Sequence, residues 1–337
     1  MQKEIVIKFP MFKKSHGEYM LATEEFEEVW EELSTISNLN VDTKYGGIHF
    51  SFDWKNHVEE IKNYNLLSNI YTLENYYNKL FTEEEVPQEL FNPKIIELKC
   101  NITTQHDHFP HHDSDMEERI VIYHLENVLV KVFLAMNIST PGSFNPLSQK
   151  LSRFAYDIYY YTPDYLECAR SKTIKFQWFT IERLKLSEVW HWLDSNLESR
   201  QLAENRTERA LYSILHISRE GSITPASILW TALALEALYK TPKFNAKNVM
   251  IRRIFSVLDI SEDMKEPLNE KINEFYSLRS QLIHGELEIN NPLSNNVLDN
   301  RIFDYQALIM DTVEFGLAIV LATLHKMIKE NVKILEF

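Results

Sequence analysis

The stretch that decides the fold is FYSLRSQLIHG, residues 275–285. Five apolar residues in and before this stretch recur at roughly helical spacing: Leu268, Ile272, Phe275, Leu282 and Ile283. The glycine at position 285 can take the left-handed conformation with which helices commonly end. The pattern predicts a helix that begins near Pro267, buries these apolar side chains and ends at Gly285.

Further helical patterns flank this stretch, and almost no strand pattern is left after about Asn205. The predicted helices cover about Arg206–Ile217, Thr224 to about Tyr239, a segment after Pro242 with apolar residues from Val249 to Leu258, and about Arg301–Glu330. Thr224 followed by Pro225 is a typical helix start, because threonine caps and proline suits the first turn. A polar loop, Asn290 to Asn300, precedes the last helix. These elements predict an all-α bundle of four or five helices over residues 205–337.

The first 195 residues mix shorter patterns and predict an acidic α+β domain, with the domain boundary near residues 195–205. Its predicted strands are Ile5–Phe9, the alternating set Ile48, Phe50 and Phe52, Lys94–Cys100, and Thr173–Phe179. The clearest helix there is Glu24–Leu33, which Thr23 can cap. The fold class is therefore α+β, with a mixed N-terminal domain followed by a helical one.

Composition excludes several classes of protein. Cys100 and Cys168 are the two cysteines, too few for a disulfide scaffold and without a CxxC pair. The longest apolar stretch, Phe315 to Leu324, is well short of the ~20 residues of a membrane-spanning helix and predicts a core helix. No N-terminal segment has the pattern of a secretion signal. We therefore expect a cytoplasmic protein without a membrane anchor.

The net charge of −14 is unevenly distributed. Residues 1–204 hold 20 lysines and arginines against 32 aspartates and glutamates, a net charge of −12, whereas residues 205–337 hold 15 against 17, a net charge of −2. Five cations of the second part occur with no carboxylate between them: Lys240, Lys243, Lys247, Arg252 and Arg253. They are candidates for contacting phosphate, and the alternative is an ordinary solvated face.

Arg279 and His284 are separated by four residues, and this spacing alone is weak evidence because 12 arginines and 12 histidines produce about one such match by chance. Two other matches exist. Arg119 and His124 lie in a β-branched run that predicts a strand, and the spacing of Arg209 and His216 is looser. Arg279 and His284 differ from both in context, because a helix rich in Ala, Leu and Glu, residues 233–239, precedes them.

In this context the motif resembles the signature of the HEPN superfamily, in particular its Apea-like members. There an arginine is followed after four to six residues by histidine, late in a bundle helix, as in Arg279 and His284, and a glycine can follow, as Gly285 does. The resemblance spans about residues 206–330 and leaves residues 1–195 unassigned. It implies a ribonuclease of antiviral defence or toxin type that acts as a homodimer, with two copies of the motif forming one composite cleft.

Metal-independent cleavage of RNA requires the chemistry that these two residue types supply. Imidazole exchanges protons near neutral pH, and guanidinium donates two parallel hydrogen bonds to a phosphate. Five residues turn about 140° around a helix axis, so Arg279 and His284 flank a helix face, and two copies could enclose a phosphate. Together with the resemblance, this chemistry implies an endoribonuclease without cofactor or metal that leaves 2′,3′-cyclic phosphate ends.

Three further residues are candidates for supporting roles. Ser280, one turn before His284, could hydrogen-bond the imidazole or a phosphate, and family members resemble it in having a small polar residue there. Tyr276 and Glu236 could orient the site, although such residues more often belong to the core or to an ion pair. His284 should lie at the negative end of the helix dipole, which favours the imidazolium form.

A second cluster is rich in histidine and carboxylate: His106, His108, His111, His112, Asp113 and Asp115. These are ligand types for transition metals, but the spacing matches neither CxxC nor HExxH, and Pro110 interrupts it. A solvated loop is the preferred interpretation, and no metal is assigned. The alternative function for the whole chain is a non-catalytic HEPN protein that dimerises or holds RNA. In that alternative the N-terminal domain would carry the specificity, whereas in the ribonuclease it would recognise a trigger or regulatory partner or restrain the helical domain.

Overall fold

The computed structural model describes residues 2–11, 23–59, 94–104, 114–143, 165–176, 178, 181–197, 201–220, 223–291, 293–294 and 298–337. The chain divides into two compact units. Unit 1 comprises Met1–Thr162 with Arg183–His191, and unit 2 comprises Pro163–Glu182 with Trp192–Phe337. The predicted α+β class is confirmed, since a small antiparallel sheet precedes a mostly helical C-terminal region. The predicted boundary at residues 195–205 stays a prediction.

Unit 1 contains a four-stranded antiparallel sheet with strand order β1-β4-β3-β2. The strands are β1 (Gln2–Met11), β2 (Asn38–Thr43), β3 (Gly46–Phe52) and β4 (Lys94–Thr104). The register pairs Ile5 with Cys100 and Phe50 with Ile102, which puts alternating apolar residues on one face. Three of the four predicted strands are thereby confirmed.

The core of unit 1 is aromatic. Helix α1 (Thr23–Leu33) buries Trp30, whose ring meets that of Trp54 edge-on with centroids 6.4 Å apart. Phe52 stacks on Trp54 at 5.5 Å. Such pairs contribute beyond the area they bury, so the helix and strand β3 are joined by directional contacts.

Helix α2 (Ser114–Ser139) ends in a buried polar turn. The Ser139 hydroxyl donates to the Leu184 carbonyl at 2.6 Å, and the Leu184 amide donates to the Ser139 carbonyl at 3.0 Å. The Asn137 side chain accepts from the Gly142 amide at 3.1 Å. These bonds satisfy polar groups that would otherwise be costly to bury and attach residues 183–191 to unit 1.

The regular secondary structure in the described part of unit 2 is helical. Its helices are α3 (Tyr165–Phe176), the end of α4 (Leu186–Asn196), α5 (Arg206–Arg219), α6 (Pro225–Leu238), α7 (Ala246–Val257), α8 (Glu262–His284) and α9 (Arg301–Lys329). The described residues after 205 thus form five helices, as the helical periodicity predicts. Helix α9 contacts α3, α6 and α8, and Phe315 to Leu324 are buried within it.

Helix ends in unit 2 follow local chemistry. Asn205 and Glu208 form a reciprocal capping box at the start of α5, and the Glu208 carboxylate accepts from the Glu204 and Asn205 amides at 2.7 and 3.2 Å. Thr224 precedes Pro225 at the start of α6, as predicted. The prediction for α8 was wrong at its start, because the helix begins at Glu262 and contains Pro267.

Two other predictions are corrected by the structure. Thr173–Phe179 was expected as a strand, but residues 173–176 belong to helix α3, where Lys172 forms ion pairs with Asp311 and Glu314 of α9. The run from Arg119 to His124 also lies in a helix, α2. Val121 and Ile122 are buried on α2, and helix α3, which residues 173–176 extend, packs against α9. In both places the packing of a longer helix outweighs the modest strand preference of β-branched residues.

Helix α9 closely approaches two other helices of unit 2 at Gly316, in the middle of α9. A Cβ atom added there would lie 2.4 Å from Cγ2 of Thr231 on α6 and 2.9 Å from Cε2 of Phe275 on α8. Farther along, the buried Tyr239 hydroxyl donates to Thr323 at 2.6 Å, and Thr323 donates to the Ile319 carbonyl at 2.7 Å. Helix α9 is therefore the element on which α6 and α8 are positioned.

Two helices in the described part of the chain, Met116–Ser139 and Arg301–Lys329, are long and apolar enough to cross a membrane. Their most apolar 18-residue windows are 61% and 72% buried inside the protein, and core helices commonly pass the same test. They are weak evidence for a membrane span. The cytoplasmic location stays a prediction.

Replacing Gly316 with alanine should lower the thermal stability of unit 2, although alanine is the better helix former by ~1 kcal/mol. Overpacking against Thr231 and Phe275 costs about 1–3 kcal/mol, so we expect a loss of a few degrees in melting temperature by calorimetry. Thr231→Ser removes the nearest methyl group while keeping the hydroxyl, and should restore part of the loss.

Gly47→Ala is the matched control, since a Cβ there would meet only the Asp42 carboxylate at 3.9 Å. Unchanged or raised melting for Gly316→Ala would contradict the close approach.

Candidate functional site

Helix α8 carries the two residues of the motif and ends where the sequence predicts. Gly285 has φ 71° and ψ 23°, the left-handed conformation, and its amide donates to the Gln281 and Leu282 carbonyls. The Glu286 amide donates to the Gln281 carbonyl at 2.8 Å. His284 is consequently the last helical residue, and its side chain is exposed. The helix end thus presents an imidazole to solvent in a fixed backbone position.

Arg279 lies one to two turns earlier and is half-buried. Its Nη2 donates to the carboxylate of Glu236 on α6 at 3.1 Å. Its Nε is buried without a hydrogen bond, and Nη1 makes none within the described part of the chain. Glu236 therefore holds one edge of the guanidinium and leaves the other terminal nitrogen for a further acceptor.

Tyr276 lies one turn before Arg279 and is buried beside the same carboxylate. Its hydroxyl donates to Sδ of Met250 on α7 at 3.2 Å. Burial, reinforced by the negative charge of Glu236 and opposed by the positive charge of Arg279, raises the pKa of Tyr276 well above its usual range. Tyr276 stays neutral at physiological pH, and it connects α7 and α8 next to the Arg279–Glu236 pair.

Ser280 follows Arg279 and is half-buried. The structure records no side-chain hydrogen bond between Ser280 and His284, both of which lie in its described part. A supporting role for Ser280 therefore stays a prediction that depends on a bound ligand.

Four of the five candidate phosphate-contacting residues are exposed: Lys240, Lys243, Lys247 and Arg252. Arg253 differs, because its Nη1 donates to the Tyr239 and Lys240 carbonyls at 2.7 and 2.6 Å and its guanidinium lies 4.4 Å from the Phe337 ring centroid. It caps the end of α6. We therefore separate Arg253 from the other four as a structural residue.

The two alternative Arg/His matches lie elsewhere. Arg119 is exposed on α2, and burial lowers the pKa of His124. Arg209 donates to the Glu204 carbonyl at 3.2 Å, and His216 stacks on Trp230 with ring centroids 4.1 Å apart. Neither match combines an exposed histidine with an arginine held by a carboxylate from a second helix.

The histidine-rich cluster lies mostly outside the described residues. His106, His108, His111, His112 and Asp113 are not described, and Asp115 lies in the first turn of α2. Among the residues that are described, no group of three or more His, Cys, Asp or Glu side chains could hold a metal ion.

Sequence reasoning missed a set of exposed apolar side chains, the first of which directly precedes His284 in the sequence. Ile283 was predicted to be buried and is 48% exposed, and Leu282 is half-buried. Further large apolar side chains are exposed on the following loop and the first half of α9: Ile289, Leu293, Leu298, Phe303, Leu308 and Met310. Helical spacing identified Ile283 as apolar but could not say that no neighbour covers it within the described structure.

No known family model matches the chain, and neither the curated proteins nor the solved structures contain a significant match.

The structural assignment of Arg253 predicts a stability effect. Arg253→Ala removes two charge-assisted hydrogen bonds and the contact with Phe337, so we expect unit 2 to lose about 1–3 kcal/mol, visible as a lower melting temperature. Arg252→Ala is the control, because Arg252 is exposed and makes none of these contacts. Equal effects of the two variants on melting would show that Arg253 has no capping role.

Proposed function

We propose that this chain is a metal-independent endoribonuclease of the HEPN type, in which Arg279 and His284 carry the chemistry. The observation that supports this best is their arrangement on α8: a guanidinium held on one edge by Glu236, and an exposed imidazole at a helix end fixed by Gly285. The resemblance of residues 206–330 to the HEPN superfamily extends the proposal to antiviral defence or toxin activity.

The proposed reaction is an intramolecular attack. One imidazole takes the proton of the ribose 2′-hydroxyl as its oxygen bonds to phosphorus, the bond from phosphorus to the 5′-oxygen breaks, and an imidazolium protonates the leaving oxygen. Arg279 stabilises the negative charge that builds on the phosphoryl oxygens. The products are a 2′,3′-cyclic phosphate and a free 5′-hydroxyl, with every proton accounted for by imidazole.

A single copy supplies one imidazole, whereas the reaction uses an acid and a base. We therefore propose that the site is completed by a second copy across a two-fold axis. The exposed apolar side chains that precede and follow His284 in the sequence support this, because exposed apolar side chains in large numbers commonly mark a protein interface. In the proposed dimer, a second copy would cover them.

The rival proposal is a non-catalytic HEPN protein that dimerises or holds RNA. The ion pair between Arg279 and Glu236 favours it, since a carboxylate 3.1 Å away reduces the positive charge offered to a phosphate. In this reading RNA binds without being cut, and unit 1 supplies specificity or responds to a trigger. Cleavage assays distinguish the two.

We expect purified protein to cleave total RNA in the presence of EDTA and to leave 2′,3′-cyclic phosphate ends. His284→Ala should lower the rate by about 10²–10⁴-fold without changing melting, the loss typical of a general acid or base. Arg279→Lys should also lose cleavage activity, because lysine cannot donate two parallel hydrogen bonds to one phosphate.

Arg119→Ala and Arg209→Ala are matched controls from the alternative motifs and should keep the wild-type rate. Loss of activity in EDTA with recovery on adding zinc or magnesium would instead implicate the histidine-rich cluster and refute this mechanism. A wild-type protein that is folded and binds RNA but does not cleave it would favour the rival proposal.

The dimer is tested at Phe303, which is 64% exposed in the first turn of α9. Phe303→Asp should convert a dimer into a monomer at micromolar concentration, measured by sedimentation, and abolish cleavage at the same concentration. Leu202→Asp, at an 80% exposed position before α5, should change neither. A wild-type protein that is monomeric both alone and with RNA would contradict the composite site.

A further inference from the structure

Phe244 is the most exposed aromatic residue described in unit 2, at 81%. It lies in the connection between α6 and α7, which is held at both ends. Arg253 donates to the Tyr239 and Lys240 carbonyls, and the Asn248 side chain donates to that of Asn245 at 2.7 Å. The ring therefore projects into water from a fixed connection. Its exposed apolar surface is unfavourable in water, and a ligand that covered the ring would gain the free energy of burying that surface.

Exposed cations precede and follow this ring in the sequence. The Lys243 ammonium lies 5.9 Å from its centroid, and Lys240 and Lys247 are exposed four residues before and three residues after Phe244. Arg252 is exposed one to two turns farther along α7. None of these four forms an ion pair within the described structure. The surface formed by Lys240, Lys243, Phe244, Lys247 and Arg252, which we call the basic platform, combines positive charge with one aromatic face.

The helices that carry the basic platform, α6 and α7, also contact the residues around Arg279. Glu236, which holds Arg279, lies in the last turn of α6, and its carbonyl accepts from the Thr241 amide at 3.2 Å. Tyr276, one turn before Arg279, contacts Met250 of α7. Both ends of the platform are thus attached to residues that position Arg279.

We propose that the basic platform binds a single-stranded segment of RNA, with an unpaired base stacked on Phe244 and phosphates on the lysines and Arg252. This deepens the proposed function, on which the choice of RNA rests. Single-stranded RNA is favoured because stacking needs an open base face, which a duplex does not offer, and a basic surface with an aromatic ring is the usual platform for it. The strand would then continue from Phe244 towards Arg279.

The test measures binding of a fluorescent single-stranded oligouridine of about 20 nucleotides and of a blunt RNA duplex of the same length, by anisotropy, with full-length protein. Cleavage of total RNA is assayed in parallel. Phe244→Ala should weaken binding of the single strand by roughly 10-fold, as expected for one stacked base, and Phe244→Trp should restore it. Leu202→Ala, at an equally exposed apolar position, should bind as the wild type does.

Charge is tested by salt dependence. Lys243→Ala combined with Lys247→Ala should reduce the slope of log affinity against log salt by about 1.4 for a single strand, whereas Lys271→Ala, whose ammonium is already paired with Glu274, should not. A wild-type affinity for Phe244→Ala, or tighter binding of duplex than of single strand, overturns the proposal.

The outcomes separate this inference from the proposed function. If the wild type cleaves RNA and Phe244→Ala binds and cleaves it normally, the proposed nuclease is supported and RNA binding by the platform is refuted. If binding depends on Phe244 but no RNA is cleaved, RNA binding by the platform is supported and the proposed nuclease is refuted. If Phe244 is needed for binding vesicles of phosphatidylserine and phosphatidylcholine while RNA is not bound, the surface is a membrane contact and the inference is wrong.

Discussion

The close approach of three helices at Gly316 is the constraint on which the rest of unit 2 depends. Because Gly316 has no side chain, α9 approaches Thr231 of α6 and Phe275 of α8 more closely than a residue with a Cβ atom could. Thr231 lies just over one turn before Glu236, and Phe275 lies one turn before Arg279. The packing of Thr231 and Phe275 against α9 therefore places Glu236 and Arg279, 43 residues apart in sequence, with Nη2 of Arg279 3.1 Å from the Glu236 carboxylate. Packing in the core thus sets the geometry of the surface pair.

The ion pair between Arg279 and Glu236 has two consequences for the proposed chemistry. A half-exposed pair contributes little stability, because solvent screens it and two long side chains lose freedom. Its value is in orientation, since a guanidinium anchored through Nη2 with a buried Nε has few remaining rotamers. A preorganised cation stabilises developing charge without rearranging during the reaction. Glu236 lowers the net charge offered to a phosphate, and in the proposed dimer a second Arg279 would compensate for that loss.

Local rules predicted more of this fold than they predicted of the site. Gly285 and Thr224 mark helix ends through backbone geometry and capping, which depend on a few neighbouring residues, and both predictions are confirmed. The expected strand at Thr173–Phe179 failed because residues 173–176 extend helix α3, whose packing against α9 is a long-range effect. Ile283 was predicted to be buried for the converse reason: spacing reports which residues are apolar, not which neighbours cover them. The pairing of Arg279 with Glu236 likewise arises from tertiary packing that one sequence does not reveal.

A chain with a net charge of −14 can still bind a polyanion where its charges are locally compensated. At physiological ionic strength the Debye length is about 8 Å, so a bound phosphate senses mainly its nearest side chains. In unit 2 several carboxylates are already matched: Asp259 by Lys326, Glu182 by Lys329, and Glu314 by Lys172. The four exposed cations of the basic platform are not matched in this way within the described structure. The acidic excess lies largely in residues 1–204, and salt screens the repulsion between RNA and any carboxylate farther away than a Debye length. In the proposed complex, the attraction of the platform would act at contact distance, where salt screens it least.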